Sequence, residues 1–150
     1  MIKVQQELFD VGAELAALTA GRTDIGALAS FVGLVRDIAG DARIVAMTLE
    51  HYPGMTEKKL AEIEAEANAR WPLQASLIVH RYGRMLPGEP IVLVATASHH
   101  RAAALESCAF LIDWLKTKAP FWKLEETPEA SHWVEARSTD DLAAARWERR

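Results

Sequence analysis

Cysteine is nearly absent. Cys108 is the only one in 150 residues, which excludes an intrachain disulfide framework and any CxxC metal or redox pair. No uninterrupted apolar run approaches the ~18 residues a membrane span needs. The N-terminal Met1-Ile2-Lys3-Val4-Gln5 lacks the apolar core of a secretory signal, so the chain is expected to be cytoplasmic and free of membranes. A basic excess is missing too. The formal net charge of −4 argues against a general nucleic-acid binder, so any anion site has to be a local basic pocket of specific residues. There is no Gly-rich phosphate loop, no metal-ligand cluster and no Ser-His-Asp set at a suggestive spacing. Linkers, repeats and low-complexity segments are lacking as well. Neither a metal nor a cofactor is expected.

What is present is ordinary globular sequence, half of it apolar and a quarter charged. The length suits one domain over residues 1–150 with a core that needs no staples. Helical spacing runs from Val11 to Leu18 behind Asp10 as N-cap. Ala27 to Val35 reads as a strand broken by Gly33, a sign of a bulge or a close backbone approach. Ile44 to His51 reads as another, ended by Tyr52-Pro53-Gly54. Thr56 is expected to cap a helix that buries Leu60, Ile63 and Ala67 and stops at Trp71-Pro72. Ala75 to Tyr82 and Ile91 to Thr96 follow as strands. Arg101 to Thr117 is the longest helix, with Ser98 as its N-cap. Phe121 to Thr127 and His132 to Ala136 are short strands, and Thr139 caps a last helix from Asp140 to Trp147. Helices and strands interleave without strict βαβ spacing, which predicts an α+β fold with a mixed or antiparallel sheet.

Chemistry concentrates at Leu115-Lys116-Thr117-Lys118-Ala119-Pro120-Phe121-Trp122-Lys123-Leu124-Glu125. Ala119-Pro120 ends the helix, since proline has no N–H and pushes the preceding residue out of the α region. The strand beyond puts Phe121, Lys123 and Glu125 on one face and Trp122 and Leu124 on the other. Lys116 at a helix end and Lys123 one turn and a strand later can converge on one anion; the alternative is two solvated surface lysines. At the other end of that helix, His99, His100 and Arg101 fall in the first turn, where free N–H groups and the helix dipole favour an anion. Arg101 adds a bidentate fork, or else turns outward to a carboxylate. Arg36 and Arg137 each close a strand, where they reach either a ligand or a surface ion pair. His51, His80 and His132 read as half-buried structural residues, and Cys108 as a buried, unreactive thiol.

Five segments in register resemble the large, catalytic subunit of molybdopterin synthase. They are the lysine-rich stretch above, Phe31-Val32-Gly33-Leu34-Val35-Arg36, Leu49-Glu50-His51-Tyr52-Pro53-Gly54-Met55, the His100-Arg101 pair before the long helix, and Trp133-Val134-Glu135-Ala136-Arg137. The chain departs from the family pattern at His99, where a small or varied residue is usual, so His99 is left outside the site.

The resemblance implies an enzyme that converts cyclic pyranopterin monophosphate to molybdopterin. Sulfur would come from the C-terminal Gly-Gly thiocarboxylate of a small ubiquitin-like partner, which agrees with a lone thiol that offers none itself. It makes Lys116 and Lys123 catalytic and Arg36, His100, Arg101 and, more weakly, Arg137 substrate-binding. It also implies a homodimer at the core of a heterotetramer. Arg101 and Lys116 lie fifteen residues apart on one helix, roughly 22 Å at 1.5 Å per residue. If both serve one small substrate, one of them comes from a second copy. The competing readings are a non-catalytic adaptor that grips the partner's tail and a phosphate-ester hydrolase.

Overall fold

A computed structural model describes residues 1–134 and 138–148. In chain order the elements are β1 (Ile2–Gln5), α1 (Val11–Thr19), β2 (Ala27–Leu34), β3 (Ile38–Ala39), β4 (Ala42–Arg43), β5 (Ala46–His51), α2 (Met55–Arg70), β6 (Leu73–Arg81), β7 (Gly83–Met85), β8 (Pro90–Ser98), α3 (Arg101–Lys118), β9 (Phe121–Glu126), β10 (Ser131–Val134) and α4 (Ser138–Ala145). The fold is α+β, as predicted. One four-stranded sheet has the order β1-β6-β8-β2 and is mixed, because β1 runs parallel to β6 while the other pairs are antiparallel. A second sheet, β10-β9-β5-β7, is antiparallel throughout.

The first sheet is covered on both faces, which explains why β6 and β8 read as near-continuous apolar runs rather than alternating ones. Ile78, Val92 and Val94 point toward α2 and α3, where Leu60, Ile63, Ala67, Phe110, Leu111 and Leu115 meet them. Leu77, Val79, Leu93 and Ala95 point the other way, toward Val11, Leu15 and Leu18 of α1. The buried Thr96 hydroxyl donates to the Ala104 carbonyl at 2.6 Å and pins α3 to β8. At Gly33 the expected close approach is real: a Cβ there would lie 2.9 Å from Val92 Cγ1, and the β2–β8 register shifts between Gly33 and Leu34.

The second sheet packs its inner face on a separate cluster of Val35, Met47, Leu49 and Met85, edged by Tyr82, Ile91 and Phe121. The chain passes between the sheets at Arg81–Gly83. There the buried Arg81 guanidinium donates to the carbonyls of Gln6 and Pro90, both at 2.9 Å. Gly83 turns with φ of 90°, a conformation open to glycine at little cost. The terminal α4 is clamped onto α3, with Trp114 Nε1 donating to the Ala144 carbonyl and Trp147 Nε1 and Arg146 both bound to Asp113. No helix among the described residues is long and apolar enough to cross a membrane.

Two caps differ from the sequence reading. Ser98 is not the N-cap of α3: it is the last residue of β8, fully buried, and its hydroxyl is spent on the Pro72 carbonyl at 2.8 Å. His100 takes the cap position with extended backbone, and Arg101 opens the helix. Thr56 does not cap α2 either. Gly54 does, its N–H donating to Glu57 Oε2, while Thr56 is the second residue of the helix and is completely buried.

Candidate active site

Lys116 and Lys123 are brought to one place by the break at Ala119-Pro120. α3 ends at Lys118 and β9 starts at Phe121, so only Ala119 and Pro120 separate the helix from the strand. Lys116 is exposed in the last turn of α3, a position that favours cations because the helix dipole is negative there. Lys123 is half-buried on β9, opposite Leu49 of β5 and Val134 of β10. In an antiparallel ladder opposite residues share a face. Lys123 therefore projects from the same side as Leu49 and Phe121, the side that carries the apolar seam between the two sheets.

His80 marks the centre of this region. The sequence suggests a half-buried ring; in the structure it is buried, stacked on Phe121 at 3.7 Å between centroids and 14° between planes. Nδ1 lies 2.9 Å from the Arg81 carbonyl, to which it donates. Burial pushes its pKa down from 6.5 to about 3, and the charges of Lys116, His51 and Lys123 add to that push against the opposing effect of the Arg81 carbonyl. Three basic side chains from α3, β5 and β9 thus lie within electrostatic reach of one buried ring. His80 is a neutral imidazole at any ordinary pH.

His51 stands next to it, half-buried, with Tyr82 at 4.4 Å and Phe121 at 6.1 Å between ring centroids. His132 differs from expectation: it is exposed on β10, its Nε2 3.7 Å from Glu125. Cys108 is as the sequence suggested, buried on α3 with its thiol pushed up to about 11 by desolvation, so it carries no thiolate near neutrality.

Arg36 follows β2 and lies exposed at the rim of an open cleft of about 620 Å³, with Asp37, Ile38, Pro87 and Gly88 around it. Val35, its neighbour, belongs to the apolar cluster that Phe121 edges. His100 and Arg101 are elsewhere. β2 pairs with β8 so that Ala27 is opposite Ser98 and Leu34 opposite Pro90, which puts Arg36 and His100 at opposite ends of an eight-residue strand, roughly 23 Å apart at 3.3 Å per residue. Arg101 and Lys116 are likewise held roughly 22 Å apart by an unbroken α3. The chain therefore gathers Lys116, Lys123 and Arg36 at one end and His100 and Arg101 at the other. Arg137 lies outside the described residues.

The far end is built with care. His99 Nδ1 donates to the Asp24 carbonyl at 2.7 Å and its Nε2 is 3.0 Å from Gln74 Nε2. Gly26 N–H donates to the Ser98 carbonyl, and a Cβ on Gly26 would fall 2.1 Å from the His99 carbonyl oxygen. His99 is tied back by these partners, whereas His100 makes no capping bond with its side chain and Arg101 is exposed. The first turn of α3 holds no acidic residue. The departure at His99 thus serves the local backbone, and the pair beyond it is left open to a ligand.

Comparison with known proteins gives the family. The profile of the MoaE protein family matches residues 4–118. The chain belongs to the MoaE family. A molybdopterin synthase catalytic subunit of Pseudomonas aeruginosa is 56% identical over 147 residues, covering 98% of both chains. The one from Escherichia coli is 51% identical, covering 97% of both. Among solved structures, a molybdopterin biosynthesis MoaE protein from Burkholderia ambifaria superposes with a TM-score of 0.84 at 57% identity, over 98% of this chain and 97% of that one. A molybdopterin synthase from Staphylococcus aureus superposes at 0.82 with 30% identity, over 89% and 96%. The family match ends at α3, whereas the P. aeruginosa and B. ambifaria alignments extend over nearly the whole chain and so take in Lys123 and β10.

Proposed function

We propose that this MoaE-family chain is the catalytic subunit of a molybdopterin synthase, a sulfurtransferase that builds the dithiolene of molybdopterin on cyclic pyranopterin monophosphate. Its sulfur comes from a small sulfur-carrier subunit with a C-terminal Gly-Gly thiocarboxylate. The observation that carries the reading is the convergence of Lys116 and Lys123 beside the buried His80, in a chain more than half identical to named catalytic subunits. Both donor and acceptor are anionic, and two amines at one seam suit a thiocarboxylate and an anionic intermediate better than any other residue set among the described residues. The lone thiol is buried and protonated, so sulfur has to arrive on another molecule. A single thiol without a disulfide also suits the cytoplasm.

The substrate's phosphate and pterin fall to Arg36, His100, Arg101 and Arg137. Because α3 and β2 hold the two basic groups at opposite ends of the chain, a pterin-sized ligand, on the order of 10 Å across and largely enclosed by its pocket, requires two chains. A two-fold dimer provides this twice, with Lys116, Lys123 and Arg36 from one protomer and His100 and Arg101 from its partner. With a small subunit on each site, the assembly is a heterotetramer.

Incubation with thiocarboxylated small subunit and cyclic pyranopterin monophosphate should give dithiolene product. A competent partner that yields none, while its tail still binds, would favour an adaptor over an enzyme.

A further inference from the structure

The segment Leu49-Glu50-His51-Tyr52-Pro53-Gly54-Met55 carries a group that the lysine and arginine roles do not use. We infer that His51 is a proton acceptor of the lysine site, its bare Nε2 exchanging a proton with an amine of the Lys116–Lys123 pair. The inference rests on the synthase reading and adds a residue to it.

The tautomer of His51 follows from hydrogen-bond accounting. Thr56 is completely buried, and its hydroxyl donates its only proton to the Tyr52 carbonyl at 2.9 Å. That oxygen accepts the Tyr52 N–H at 3.1 Å and has one lone pair left for His51 Nδ1 at 3.0 Å. A hydroxyl with its proton committed can only accept. With that proton on the Tyr52 carbonyl, Nδ1 carries the hydrogen, and in the neutral ring Nε2 holds the lone pair. Nε2 makes no hydrogen bond to the protein among the described residues. The turn at Tyr52-Pro53-Gly54 and the misplaced cap, Thr56, together make this arrangement.

Strand register places the His51 ring on the face of the sheet that carries Lys123. His51 lies opposite Phe121 in the β5–β9 ladder, and Lys123 is two residues further on the same face. Such diagonal neighbours are about 7–8 Å apart at the backbone, within reach of a long side chain. Among the described residues the Tyr82 phenol lies against the ring, and His80 of β6 is within electrostatic reach of His51 and of both amines, Lys116 and Lys123. Glu50 points to the opposite face of β5, and Thr56 is what α2 presents. Since His80 is buried and already donating through Nδ1, His51 is the half-open imidazole of the pair. The proton moves in one step: an N–H bond breaks at a lysine Nζ as one forms at Nε2, leaving a neutral amine and an imidazolium, and it reverses when the amine is no longer needed.

The test uses the complete synthase with thiocarboxylated partner. His51→Phe keeps a ring between Tyr82 and Phe121 but has no nitrogen; His51→Ala opens a space for added imidazole. Both should lose about a hundred-fold in turnover, the scale of general acid–base catalysis, with KM for the pterin substrate unchanged. Free imidazole should restore part of the rate to His51→Ala and none to Lys116→Ala, a rescue that a merely structural role would not show. Wild-type turnover in His51→Phe overturns the inference, as does a folded His51→Ala whose rate imidazole does not raise. A wild-type complex that makes no product sinks the synthase reading itself, whereas an active wild type with an equally active His51→Phe sinks only the role of the histidine.

Discussion

His80 of β6 lies flat against Phe121 of β9, ring centroids 3.7 Å apart, and through this stack the first sheet holds the strand that carries Lys123. The imidazole is a plate and a hydrogen-bond donor there, and it is neutral near neutral pH.

That burial makes stability depend on pH. The folded-state pKa is about 3, below the ordinary 6.5, so the unfolded chain takes up a proton that the folded chain refuses. The contribution of neutral His80 is complete above pH 6.5 and is lost as pH falls from there toward 3, at about 1.4 kcal/mol per pH unit for one proton. His80→Phe should reduce the difference in urea midpoint between pH 7 and pH 5 relative to wild type. An unchanged difference would mean that His80 is not the group responsible.

Lys116→Ala and Lys123→Ala should each abolish most turnover. Lys116 is exposed, so its loss should cost under about 0.5 kcal/mol of stability. Lys58, exposed on α2, supplies the matched control, and Lys58→Ala should retain the wild-type rate. Near-normal rates in both site variants would remove the lysines from the mechanism.

A two-chain site predicts complementation. Mixing inactive Lys116→Ala with inactive Arg101→Ala should recover activity, because a mixed dimer holds one intact site and one doubly damaged site. Subunit exchange, followed by mass spectrometry of tagged protomers, is the necessary companion measurement. Exchange without recovered activity would place the whole site in one chain.

Gly26 should matter more than its exposure suggests. A methyl group there would collide with the His99 carbonyl oxygen at 2.1 Å, and the strand-to-helix junction would have to move. Gly26→Ala should destabilise by about 1–3 kcal/mol, the usual range for overpacking. It should also raise KM for the pterin phosphate, since His100 and Arg101 follow directly. A variant with unchanged stability and KM would show that the junction is free to shift.

The sequence by itself determined the elements that local chemistry controls. Pro120 ended α3, Asp10 capped α1 by accepting from Ala13 N–H, Gly33 marked the close approach to Val92, and the spacing of Leu60, Ile63 and Ala67 gave the buried face of α2. The separation of Arg101 from Lys116 was legible as well, because an uninterrupted helix has a fixed rise. The tertiary structure alone decided what depends on partners distant in the chain. Ser98 is a good cap by type, yet its hydroxyl is taken by Pro72, twenty-six residues away. His80 and His51 look alike as strand histidines. One is sealed against Phe121 and the other is half-buried on the strand face that carries Lys123, because strand register and the packing of two sheets, neither of them local properties, set the burial and the neighbours of each ring.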